Sequence, residues 1–151
     1  MTVAAPHRVV AIDGPAASGK SSVARELARQ IGFRYVNSGA MYRAVTWHVL
    51  ERAIPPEDGS AIAHLLETSR IDCEMNRDGS RILIDGRDPA AHLRDDRVNA
   101  DVSLVSSVAR VREILVAKMR AFARDYDVVM EGRDIGSVVF PDTPYKFYID
   151  A

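Results

Sequence analysis

Gly14, Gly19, Lys20 and Ser21 stand in the order Gly14-Pro15-Ala16-Ala17-Ser18-Gly19-Lys20-Ser21, which satisfies the pattern GxxxxGK[ST] at every fixed position. The residue types suit one chemistry. Two glycines let the backbone adopt conformations that a β-carbon disfavours, so consecutive N–H groups can turn inward as a nest for an anion. The positive end of a following helix strengthens that preference. Lys20 adds a full charge suited to β- and γ-phosphate oxygens, and the Ser21 hydroxyl suits a Mg²⁺ that keeps most of its waters. The stretch therefore predicts a site for a phosphorylated ligand.

Further along, Asp127 to Met130 is an apolar run ending in Glu131-Gly132-Arg133-Asp134. A carboxylate at the end of such a strand is where a loop of this kind needs a group to hold Mg²⁺ through its waters, which nominates Glu131. Arg133 and Asp134 put a cation and an anion on a tight turn, either paired with each other or free for a ligand. Tyr42 and Arg43 fall near the start of a helical pattern, on the same end of the unit as the glycine loop if the flanking strands are parallel. That is where ligands bind in open α/β sheets, although an Arg there can equally be solvated.

The elements that must position these groups are legible from periodicity. Arg8 to Ile12 reads as a strand before the loop. After it Val23, Leu27 and Ile31 recur four apart with Ala24 and Ala28 beside them, predicting a helix that Gly32 closes. Phe33 to Val36 is a second strand ending in an Asn37-Ser38-Gly39 turn. Met41, Val45 and His48 or Val49 mark one face of a helix to about Arg52, stopped by Pro55-Pro56. A third helix runs from Pro56 or Asp58 to about Ser69 on Ile62, Leu65 and Leu66. Ile71 to Met75 and Arg81 to Ile84 then form strands around Arg77-Asp78-Gly79, a small antiparallel insertion reaching about Asp95. Val98, Val102 and Val105, followed by Val111, Leu115, Met119 and Phe122, predict two helices meeting near Ala109-Arg110. Val138, Val139 and Phe140 continue to Pro141, and Lys146 to Ile149 is a last strand.

The pattern is α/β: a parallel sheet flanked by helices, with a small antiparallel insertion. At 151 residues, 47% apolar and 27% charged, the composition is that of one ordinary globular domain. A net charge of -1 argues against a generally basic binder of nucleic-acid polymers. Cys73 is alone, which excludes an internal disulfide framework and suits a reducing compartment. No apolar run approaches the roughly 20 residues of a membrane span, and Met1 to Pro6 lacks the features of a signal peptide, so the expected location is cytoplasmic. His7, His48, His64 and His92 lack the short spacings of a zinc site. A buried parallel strand should be followed by a covering helix, and none follows Ile149, so the chain is read as a fragment.

Four separated stretches converge on one family: GPAASGKS; Asn37-Ser38-Gly39-Ala40-Met41-Tyr42-Arg43; Ser103 with Val111-Arg112; and Gly132-Arg133-Asp134-Ile135-Gly136 running on to Asp142. Over nearly its whole length the chain resembles the bacterial cytidylate kinases, the CMP/dCMP kinases of the nucleoside monophosphate kinase group. The resemblance implies a three-layer P-loop NTPase fold, with the insertion near residues 71–95 as the enlarged acceptor-binding (NMP-binding) subdomain. It implies that Gly14 to Ser22 (Ser22 included) bind ATP with Mg²⁺ at Ser21 and Glu131. Arg43 and Arg133 match the arginines that hold the CMP phosphate, and with Lys20 they form the catalytic set. Ser38 and Tyr42 match neighbours lining the acceptor site, and Ser103, Arg112 and Asp134 match the residues that read the cytosine edge. Partners implied are ATP, CMP and dCMP, with the intact protein a monomer.

Two departures from the family pattern stand out. Asn37 occupies a position that usually carries Asp, which keeps an amide's hydrogen bonds and loses the charge. The family also continues past the last strand into a lid whose arginines cross the transferring group. Without them the chain is expected to bind ligand and to transfer phosphate slowly or not at all. The alternatives are an inactive nucleotide-binding fragment or degenerate kinase, and a P-loop kinase for another small acceptor such as shikimate or another nucleotide.

Overall fold

The computed structural model describes residues 7–15, 18–76 and 79–150. The chain divides into two compact units. One comprises residues 1–38, 75–80 and 118–151, the other residues 39–74 and 81–117.

In the first unit, β1 (Val9–Asp13), β2 (Arg34–Asn37), β5 (Val128–Gly132) and β6 (Tyr145–Tyr148) form one sheet in the order β2-β5-β1-β6. Every pairing in it is parallel, with Ile12 opposite Glu131 and Asn37 opposite the same Glu131. All five residues of β5 are buried, as are the first four of β1, which explains why both read as continuous apolar runs rather than alternating ones. β6 differs. It lies at the sheet edge and all four of its residues are exposed, Tyr148 by 68% and Phe147 by 55%.

Helix α1 (Lys20–Ile31) follows the glycine loop and closes on Gly32, in the left-handed region with its N–H on Ala28 O. The face it buries corrects the sequence expectation: Ala24 and Ala28 are buried, whereas Val23 and Ile31 are 50% and 44% exposed. Ala24 and Ala28 join Val10, Ile12, Tyr35 and Val129 in one cluster, with Leu27, Phe33 and Ile149 at its margin. The small residues face the sheet because they allow the helix backbone to approach it closely, and the larger ones are displaced outward.

The second unit holds most of α2 (Ser38–Glu51), α3 (Gly59–Thr68), α4 (Asp96–Ser106) and the first part of α5 (Ala109–Asp125). α2 begins at Ser38 directly after β2, so in place of the expected Asn37-Ser38-Gly39 turn Asn37 ends the strand and Ser38 and Gly39 open the helix. It ends before the prolines, where Ala53 takes a left-handed conformation (φ 54) and Ile54 N–H returns to Val49 O. Asp58 caps α3 by accepting from Ala61 N–H at 3.1 Å. β3 (Ile71–Asn76) pairs with β4 (Gly79–Ile84) in a two-stranded sheet, whose two-residue connection requires the expected antiparallel hairpin. Residues 77–78 of that connection lie outside the described residues. Val98, Val105, Val111 and Leu115 are buried as their spacing predicts. Among the described residues no helix is long and apolar enough to cross a membrane.

Candidate functional site: a glycine loop and its carboxylates

At Gly14 the backbone has φ 157, and a Cβ there would lie 2.3 Å from the Ile149 carbonyl oxygen, so any side chain forces the backbone to move. Gly19 occupies the N-cap of α1 at φ 83, ψ 5, a left-handed conformation in which a side chain is strained. α1 has no side-chain cap and no acidic residue in its first turn. Its leading N–H groups and the positive end of its dipole are thus left for an anion from outside the helix. The Ser18 hydroxyl is buried with no hydrogen-bond partner among the described residues. Lys20 Nζ donates to Pro15 O at 3.2 Å, reaching back over the loop. Ser22 is exposed, and Ala16 and Ala17 lie outside the described residues.

Glu131 sits on β5, between β2 and β1, and is 2% exposed. Its Oε1 accepts from Ser21 Oγ at 2.6 Å, and its Oε2 has no partner among the described residues. Burying a carboxylate with one oxygen unmatched is costly. A hard cation with oxygen ligands removes that cost, so the pair Ser21 and Glu131 fits Mg²⁺. Tyr35, on the same face of the sheet, brings its hydroxyl close enough that burial and the Glu131 charge push its ionisation up, while Arg25 pulls it the other way. The Arg25 guanidinium lies 5.0 Å from the Tyr35 ring centroid. The Ser38 hydroxyl, also buried, donates to Glu131 O at 2.8 Å and fastens the start of α2 to β5.

Asp13, the last residue of β1, was not among the residues nominated from sequence. Its two carboxylate oxygens accept from Ile135 N–H at 2.8 Å and Gly136 N–H at 2.9 Å. These amides open a π-helical turn over Ile135–Val139, in place of a simple continuation of the apolar run. Arg120 holds its other end, donating to Val139 O at 3.0 Å and Val138 O at 3.1 Å. Arg133 and Asp134, both exposed, lie between β5 and this braced turn. The available signal for Asp13 was its place at the end of an apolar strand, directly before the first loop glycine.

In the second unit, Tyr42 and Arg43 lie on α2, both partly buried, and Ser103 and Arg112 are exposed on α4 and α5. Arg43 Nη1 donates to Leu93 O at 3.1 Å and to Asn99 Oδ1. Burial, followed by the nearby Arg94 charge, disfavours the charged form of Arg43. Nothing in the sequence signalled Asn99.

A model of the family described as cytidylate kinase matches residues 10–151. The chain belongs to the cytidylate kinase family. It is 46% identical over 142 residues to a cytidylate kinase of Caldanaerobacter subterraneus subsp. tengcongensis, covering 94% of this chain and 62% of that protein. With a cytidylate kinase of Symbiobacterium thermophilum it shares 45% over 152 residues, 100% of this chain and 67% of the relative. With one of Mycolicibacterium paratuberculosis it shares 46% over 144 residues, 95% and 63% respectively. The chain thus spans less than two thirds of the length of most of these cytidylate kinases, and the match includes the glycine loop, Glu131 and the braced turn.

Proposed function

We propose that the chain carries the donor and acceptor residues of a (d)CMP kinase, which transfers the γ-phosphate of ATP to CMP or dCMP, giving ADP with CDP or dCDP. The observation that carries this reading is the uncapped, glycine-opened start of α1, where the exposed Ser21 donates to the buried Glu131 carboxylate, in a chain of this family. Gly14 to Ser22 hold the donor phosphates, and Lys20 neutralises their β- and γ-oxygens. Mg²⁺, held by Ser21 and Glu131, would supply further charge neutralisation when bound. Arg43 and Arg133 hold the CMP phosphate, Ser38 and Tyr42 line its surroundings, and Ser103, Arg112 and Asp134 read cytosine. Cytosine offers an amino donor, suited to the Asp134 carboxylate, and N3 and O2 acceptors, suited to Arg112 and Ser103.

An oxygen of the CMP phosphate attacks the γ-phosphorus in line as the bond to the ADP oxygen breaks. No general base is needed, because a phosphate monoester with a second pKa of about 6 is already largely ionised at neutral pH. The work of the protein is alignment and charge neutralisation. Residues 71–95 serve as the acceptor-binding insertion, and the protein acts as a cytoplasmic monomer. Calorimetric titration of the 151-residue chain with CMP, dCMP, UMP, AMP and GMP tests the reading: cytidine nucleotides are expected to bind most tightly. Preference for a purine nucleotide, or no binding of any, overturns it. ATP binding without any acceptor binding would favour the degenerate-kinase reading, to which the uncharged Asn37 lends support.

A further inference from the structure

Arg43 differs from four other arginines of its unit, which are ion-paired. Arg52, Arg81, Arg97 and Arg110 each meet a carboxylate, from Asp85, from Glu74 and Asp88, from Glu51, and from Glu67 and Glu113 respectively. Arg43 is more buried than a surface arginine, and among the described residues it pairs with no carboxylate. Its contacts are two neutral oxygens, Leu93 O and Asn99 Oδ1, both taken by Nη1. A guanidinium can only donate and a carbonyl can only accept, so the Asn99 amide has one possible orientation: Oδ1 toward Arg43 and Nδ2 toward Arg94 O, 3.3 Å away. The side chain is therefore held at both ends. Arg94 adds a second positive charge nearby, and Arg43 cannot shed its proton to relieve the repulsion.

We propose that Asn99 is the positioning residue for Arg43: a neutral acceptor that fixes the guanidinium through Nη1, presents its Nε and Nη2 edge to a phosphate, and leaves its charge uncancelled. This rests on the reading of Arg43 as a ligand of the acceptor phosphate. A carboxylate at position 99 would hold the guanidinium as well or better, but would compete with the phosphate for its charge. Asparagine does the first without the second. The residue touches no substrate and acts through Arg43.

The test compares Asn99→Ala and Asn99→Asp in the 151-residue chain, titrated calorimetrically with CMP and separately with ATP, alongside thermal denaturation. Asn99→Ala is expected to weaken CMP binding about tenfold by releasing the guanidinium. Asn99→Asp is expected to weaken it further, about a hundredfold, with a melting temperature equal to or above that of the parent. ATP affinity should stay within about twofold in both. A merely structural hydrogen bond predicts the opposite order, because Asp keeps the acceptor. Asn99→Asp binding CMP as well as the parent, or better than Asn99→Ala, overturns the inference while leaving the kinase reading intact. A parent chain that binds no CMP overturns both.

Discussion

Ser21 Oγ donates to Glu131 Oε1 at 2.6 Å, joining the first turn of α1 to β5 across 110 residues of sequence. The other carboxylate oxygen is buried without a hydrogen bond that meets ordinary geometry among the described residues, with the Tyr35 hydroxyl nearby, and a cation would complete it. Glu131→Gln keeps an acceptor for Ser21 and removes the charge. ATP affinity measured with Mg²⁺ should fall at least about tenfold, whereas affinity measured in excess EDTA should be unchanged. Thermal stability without metal should hold or rise, since a buried, half-satisfied charge has been removed. Equal losses with and without Mg²⁺ would place Glu131 outside cation binding.

Gly14→Ala tests the loop itself. Its Cβ would meet a backbone oxygen, Ile149 O, at 2.3 Å, and backbone cannot rotate away as a side chain can. The expected cost is about 1–3 kcal/mol in urea denaturation, from a β1–β6 separation forced wider. ATP affinity should fall in the same variant, because the loop is displaced with the strand end that carries it.

Glycine spacing, a strand-end carboxylate and helix periodicity are local or nearly local signals, and they made the loop, Glu131 and the helices legible in the sequence. The face of α1 was misread for a physical reason. Val23, Leu27 and Ile31 share one four-residue row and Ala24 and Ala28 the next, and close approach of the helix to the sheet favours the smaller row. Asp13 and Asn99 were not legible because their partners, 122 and 56 residues away, are chosen by tertiary packing. The π-helical turn at Ile135–Val139 likewise depends on Asp13 and on Arg120, neither of them adjacent in sequence.

Asp13→Ala should loosen that turn. It leaves the Ile135 and Gly136 amides without their charged acceptor, an expected loss of about 3 kcal/mol in chemical denaturation. Asp13→Asn keeps one acceptor oxygen and should lose about half as much. Hydrogen exchange at the two amides should quicken in both variants, more in the alanine. CMP affinity should fall with it, because Arg133 and Asp134 precede the turn. Unchanged exchange at Ile135 and Gly136 would show that Arg120 alone suffices to hold it.

His48 gives the fold a pH dependence. The ring is 2% exposed on α2, with Nε2 2.8 Å from Ser69 Oγ and 3.9 Å from Asp85 Oδ2. Burial lowers its pKa below the ordinary 6.5; Asp85 opposes this, and the Arg52 and Arg87 charges reinforce it. The folded protein therefore keeps His48 neutral at pH values where the unfolded chain has already bound a proton. Stability contributed by the neutral ring is complete above about pH 6.5 and is lost as pH falls toward the folded pKa, at up to about 1.4 kcal/mol per pH unit. Glu51 and Asp127 are held below the ordinary carboxylate range, by Arg97 and by the Arg8 backbone N–H respectively, so their contributions fade only in stronger acid. Urea denaturation at pH 7.5, 6.5, 5.5 and 5.0 should show stability falling across the lower steps, and His48→Gln should flatten that fall while retaining a side chain that can reach Ser69. An unchanged slope in His48→Gln would assign the pH dependence to another group.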